Sequence, residues 1–212
     1  MVTSDVRASF AGATDGFVEL TGQVPTRAWE LPALGEWDVR SLVGHASRAL
    51  STIESYLGRP GEGPTLDGPL AYFCAILPEE ADPERRRQLD RAIAERGRQS
   101  GAELGEDPAS AVAELANRVG ALVDAAADDA PVATAAGAMT LAGYLPTRTF
   151  ELAVHSLDLA RAFELPVPAT MGPAIAASCE LAGRLAARRP DAADLLLLLT
   201  GRAGLPDGLS VL

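Results

Sequence analysis

Five residues of this chain have the types and spacing to do chemistry together. Arg148, Glu151, His155 and Asp158 share one short segment, and His45 lies far upstream. Glu151 and His155 stand four apart, so on a helix their side chains lean over the same turn and can converge on one point. A carboxylate and an imidazole presented that way commonly serve as two ligands of a transition metal. Counting from Phe150 at about 100° per residue, Asp158, Glu151, His155 and Arg148 fall at about 80°, 100°, 140° and 160°. They form one polar ridge. Phe150, Val154 and Leu157 flank it on one side, Leu152 and Leu159 on the other. That flanking predicts an interior ridge and assigns the exposed edge to Thr149, Ser156 and Ala160. An unpaired carboxylate inside a helical bundle costs several kcal/mol, so the ridge needs partners. Two readings supply them: a bound metal ion, or a purely structural set of ion pairs among Arg148, Glu151 and Asp158.

The chain has only two histidines. His45 falls at the edge of an apolar arc made by Val39, Leu42, Val43, Ala46, Ala49, Leu50 and Ile53, which turns it toward the bundle interior or its rim. Two histidines and one glutamate drawn from two helices would leave an open coordination position for water or a thiolate. A satisfied structural histidine is the competing reading for His45.

The elements that must position these residues are helices. A first helix is predicted over about 4–21, followed by a loop with Pro25, Pro32 and Gly35. Asp38 is a suitable N-cap for a second helix through Leu57, with Trp37 as the hydrophobic residue before the cap. Gly58, Pro60, Gly61, Gly63 and Pro64 end it. A short helix is expected at about 70–77. Asp82-Pro83 and Asp107-Pro108 each read as a cap followed by proline in the first turn, opening helices over about 83–99 and 108–127. The former carries Arg85, Arg86, Arg87, Asp90 and Arg91 and reads as a solvated face. A connector comes next, with an extended piece near 138–141. Thr147 is then expected to cap the ridge helix, which runs to about Phe163, and a last main helix covers about 170–188. The expected architecture is all-α: four main helices with one or two accessory ones over 1–190, and a short helix and tail over 191–212 packed on the same domain.

Composition sets outer bounds. With 212 residues the chain can bury roughly 70% of its surface, so folding needs no disulfide or metal staple. A formal charge of −11 disfavours nucleic acid and anionic membranes as partners. All 18 basic residues are arginine; without lysine, Schiff-base chemistry and a Walker phosphate loop are excluded. The residues 1–10 lack a signal-peptide core, and the Leu195–Leu199 run is too short to span a bilayer. Cys74 and Cys179 lack metal-type spacing and are expected to be buried, reduced thiols of a cytoplasmic protein.

The segments Trp37-Asp-Val-Arg-Ser-Leu-Val-Gly-His45 and Arg148-Thr-Phe-Glu-Leu-Ala-Val-His-Ser-Leu-Asp-Leu-Ala160 resemble the two signature segments of one family. That family is the metal-binding domain of mycothiol-dependent maleylpyruvate isomerase-like proteins, a branch of the DinB/YfiT-like four-helix bundles widespread in actinobacteria. The resemblance covers roughly residues 5–190. It implies His45, Glu151 and His155 as ligands of a divalent ion, usually zinc. It also implies Asp158 as a residue supporting the ligands and Arg148 as a neighbour of the open position and a candidate catalytic residue. The activity implied is that of a metal-dependent thiol transferase or thiol-assisted isomerase using a low-molecular-weight thiol such as mycothiol on a small electrophile. A non-catalytic metal- or small-ligand-binding protein is the alternative. Maleylpyruvate isomerase itself has a further C-terminal domain, for which too little sequence follows the last helix, so its own reaction is not expected. Homodimerisation through a helix face is common in such bundles, though no apolar stripe in the sequence marks one.

Overall fold

A computed structural model describes residues 3–77 and 83–204. The side chains of Arg85 and Arg86, and tail residues 205–212, lie outside the described part. The described helices are α1 (Thr3–Gly22), α2 (Val39–Tyr56), α3 (Gly68–Ile76), α4 (Pro83–Glu103), α5 (Pro108–Ala125), α6 (Leu141–Ala162), α7 (Gly172–Ala186) and α8 (Ala192–Leu199). Two small antiparallel hairpins complete the set: β1 (Pro32–Leu34) with β2 (Trp37–Asp38), and β3 (Pro131–Thr134) with β4 (Gly137–Thr140).

The helices α1, α5, α2 and α6 pack in a closed ring, each against two of the others. Their shared core contains Phe10 and Phe17, Val112 and Val119, Leu42 and Ile53, and Leu145, Leu152 and Leu159. This is an all-α, DinB-like four-helix bundle. It carries more accessory helix than the sequence suggested: α4 lies along α2, α7 against α1 and α6, and α3 against α6 and α7. No helix among the described residues is long and apolar enough to cross a membrane.

Local chemistry explains most boundaries. The Asp38 carboxylate accepts from Ser41 N at 2.7 Å and starts α2 one residue after the hairpin ends. Asp107 does the same for α5, accepting from Ser110 N at 3.1 Å. The extended piece expected near 138–141 is β4, and its partner β3 is an element the sequence reading did not include. Gly58 N bonds to Pro131 O, which ties this hairpin to the end of α2.

Two expectations about α6 are corrected. The helix begins at Leu141 rather than after Thr147, and its cap is Thr140, whose Oγ1 accepts from Gly143 N at 3.2 Å. Leu141, Tyr144 and Leu145 are buried and extend the core stripe by two turns. That burial outweighs the hydrogen bond that Pro146, inside the helix, cannot donate. The supposed exposed edge is also buried: Thr149, Ser156 and Ala160 are 2%, 0% and 3% exposed, whereas Leu157 is 37% exposed. The physical reason is that α6 is central, touched by α1, α2, α3 and α7, so only one narrow strip reaches solvent. A third correction concerns the thiols, since Cys74 and Cys179 are both exposed.

The α2–α4 crossing fixes the depth at which His45 sits. Gly44 and Gly101 meet there, and a Cβ on Gly101 would lie 2.6 Å from Arg40 O. Only glycine permits that approach, and the residue after Gly44 is His45.

Candidate metal centre

The structure brings His45, from the middle of α2, against Glu151 and His155 on α6. One ligand atom from each of the three lies within 4.8 Å of the others. His155 Nε2 is 3.5 Å from a Glu151 carboxylate oxygen, and His45 Nε2 is 3.9 Å from the same oxygen. A tetrahedral ion with bonds of about 2.0–2.1 Å holds its ligand atoms about 3.3 Å apart. The two Glu151 separations are close to that figure and too long to be hydrogen bonds in their own right. The residues present therefore fit a divalent ion.

The surroundings orient the donors. Asp158 sits one turn beyond His155 and meets its Nδ1 at 3.1 Å, which fixes the tautomer that leaves Nε2 facing Glu151. Asp158 thus orients the His155 ring. Trp37, at the hairpin's end, covers His45 with ring centroids 4.6 Å apart. Its Nε1 donates to Ala94 O of α4 at 3.2 Å, and its ring rests on Gly97. Helix-cap spacing marks Trp37 only as the residue before a cap; in the fold it is the lid of the histidine pair. The Nδ1 atom of His45 is buried and has no hydrogen-bond partner among the described residues.

Electrostatics separates the two imidazoles. Burial, with the charge of His155 second, pushes His45 down to about 4. Burial also opposes charge on His155, but the contacts with Asp158 and Glu151 outweigh it and raise His155 to about 9. Glu151 would be raised by burial, yet His155 and Arg148 hold it below the usual carboxylate range. At neutral pH the centre thus presents one neutral imidazole, one carboxylate and one imidazolium. A cation held by the triad would take the place of the His155 proton.

Arg148 does not form the expected ion pair with Glu151 or Asp158. Among the described residues its guanidinium makes no ion pair; it donates to Thr147 Oγ1 at 3.0 Å and to the Tyr72 hydroxyl at 3.3 Å. The Tyr144 ring lies beneath it, 4.8 Å from Cζ to centroid. Of the structural alternative, the Arg148 pairs are absent among the described residues, while His155 contacts both Glu151 and Asp158. Tyr72 and Tyr144 are missing from the sequence-based set, although the chain has only three tyrosines and their scarcity was a usable signal.

The sequence model of one protein family, described as the mycothiol maleylpyruvate isomerase N-terminal domain, matches residues 10–160. The chain belongs to that family. The match spans all five residues, the whole of α2 and all but the last two residues of α6. No curated protein and no solved structure matches the chain at a significant level. Membership in the mycothiol isomerase N-terminal family fits the DinB-like bundle, and the ligand positions implied by the resemblance are those that meet between α2 and α6.

Proposed function

We propose that His45, Glu151 and His155 hold a divalent metal, best matched by zinc. We further propose that the protein is a metal-dependent thiol transferase or thiol-assisted isomerase using a low-molecular-weight thiol such as mycothiol, in the cytoplasm. The observation that carries this reading is the convergence of three ligand atoms from two helices within 4.8 Å, one of them oriented by a carboxylate. Two imidazole nitrogens and one carboxylate oxygen are a donor set that zinc accepts while keeping a position open. An ion so held supplies Lewis-acid chemistry, lowering the pKa of a thiol or water presented to it.

The chain's own residues do the rest. Asp158 holds the His155 ring in register, so that its Nε2 lone pair is available without rotamer search. Trp37 shields His45 on one face and also lines an open surface groove with Leu34, Ile93 and Arg91, which the ring separates from the histidine. Excluding bulk water from His45 keeps that imidazole neutral and ready to donate its lone pair.

The test begins with metal analysis of protein purified without an affinity tag, alongside His45→Ala and His155→Ala. One ion per chain in the parent and little in either variant is the expected result; stoichiometric metal in both variants would remove the ligand assignment. Thiol-dependent consumption of small electrophiles, with and without metal, then separates the enzyme from a non-catalytic binder. Turnover that needs both thiol and metal supports the first, and no turnover with any thiol favours the second.

A further inference from the structure

Arg148 is 7% exposed and carries a charge that no carboxylate among the described residues pairs. Glu151 acts on that charge only from beyond contact distance, and a buried guanidinium without a touching counter-ion is costly by several kcal/mol, which side chains normally relieve. Here the neighbours do something different. Two aromatic rings stand against the group, Tyr144 at 4.8 Å and Tyr72 at 5.5 Å from Cζ to ring centroid. Thr147 and Tyr72 take Nε and Nη2, and Nη1 bonds to no described residue. Tyr72 accepts from Arg148, and its own O–H proton has no acceptor among the described residues. All three tyrosines of the chain gather here, with Tyr56 and Tyr72 at 6.4 and 5.9 Å from Tyr144 between ring centroids. The result is a guanidinium packed against two aromatic rings, whose Nη1 edge, together with one phenol O–H, still has hydrogen bonds to give.

That edge lies beside the proposed metal centre. Arg148 precedes Glu151 by three residues on one face of α6, and residues so spaced are neighbours. The Glu151 carboxylate is engaged on the other side, by the two histidines. With neutral imidazoles, Glu151 and Asp158 offset the two charges of a divalent ion and leave the Arg148 charge uncompensated. An anionic group with two oxygens in a plane suits the free edge, because guanidinium presents parallel N–H bonds to a carboxylate.

We propose that Arg148 and Tyr72 form an anion-binding wall next to the metal centre, and that the ligand taken there carries a carboxylate. This rests on the reading of His45, Glu151 and His155 as metal ligands. In the proposed reaction Arg148 and Tyr72 choose the substrate and hold it, while the triad faces its reacting group.

Protein loaded with cobalt in place of zinc tests this, because a thiolate on cobalt gives a charge-transfer absorption that reports binding. The probes are ω-mercaptocarboxylates with two to four carbons, each against the mercaptoalcohol of equal length. The parent should bind the carboxylate member of at least one pair roughly ten- to hundred-fold more tightly, the usual range for a charge-assisted pair. Arg148→Gln should bring that ratio to within about two-fold of unity, and Tyr72→Phe, which removes one oxygen and keeps the ring, should lower it several-fold. Cobalt content should stay at one per chain in both variants. No preference in the parent at any length, no thiol binding at all, or a preference that survives Tyr72→Phe and Arg148→Gln would overturn the proposal. Should Arg148→Gln fail to fold, Tyr72→Phe decides alone. Failure of the parent to take up cobalt would instead remove the metal centre and the wall with it, so the two failures are told apart.

Discussion

In the metal-free protein the two imidazoles titrate in opposite directions, and stability should peak near pH 6.5. Both histidines of an unfolded chain have a pKa of about 6.5. Folding pushes His45 down to about 4, by burial first and the nearby His155 charge second. Between those values the unfolded chain binds more protons, so stability rises with pH and is lost as pH falls toward 4. His155 behaves oppositely. Burial works against its charge, but Asp158 and Glu151 prevail and raise it to about 9. From pH 6.5 to 9 the folded protein binds more protons, and stability falls as pH rises. Each gap corresponds to about 3 kcal/mol at about 1.36 kcal/mol per pH unit. The side chains are 18% and 14% exposed, and access of water to them trims each limb to about 2 kcal/mol. Urea titrations with a chelator present, at half-unit steps from about pH 4 to 9, read this from the emission of the buried Trp29 and Trp37. For a slope of about 2–3 kcal/mol per M, each limb shifts the midpoint by about 0.7–1 M. His155→Gln should erase the falling limb and His45→Gln the rising one. Saturating zinc should also erase the falling limb, because a ligating His155 cannot carry the proton. A flat profile, or a fall above pH 6.5 that survives His155→Gln, would refute the reasoning.

Other outcomes come from the same geometry. Zinc affinity should rise about ten-fold per pH unit between about 6.5 and 8.5, since binding displaces the His155 proton; calorimetry in buffers of different ionisation enthalpy should count close to one proton released. Asp158→Asn removes the carboxylate that orients His155 and should weaken metal binding by about 10–100-fold without abolishing it, as competition with a chelator would show. Gly44→Ala should destabilise by about 1–3 kcal/mol or more despite alanine's better helix propensity, because the methyl group meets the backbone of α4; a raised melting temperature would mean the α2–α4 crossing is looser than described.

How far the sequence reached differs between α2 and α6, for a physical reason. Helix α2 carries its own punctuation, an Asp38 side-chain cap at one end and Gly58 and Pro60 just past the other, and these locate it to within a residue. Helix α6 is enclosed on several sides, and an enclosed helix has no single polar face to read. The pitch still placed Arg148, Glu151, His155 and Asp158 on one ridge, because that depends only on spacing. It misassigned the opposite side, where Thr149, Ala153, Ser156 and Ala160 recur at intervals of four, three and four. Small residues at that spacing mark close helix packing as readily as a solvent edge, and burial shows they serve packing here. What no one-dimensional pattern could supply was the second neighbour of Arg148: Tyr144 stands one turn before it on α6, a spacing the sequence shows, but Tyr72 comes from α3 and meets the guanidinium only once α3 docks. The same docking decides where Arg148 goes within the ridge. A structural ridge would have spent Arg148 on Glu151; instead the tyrosines hold the cation, and the carboxylate faces the two histidines.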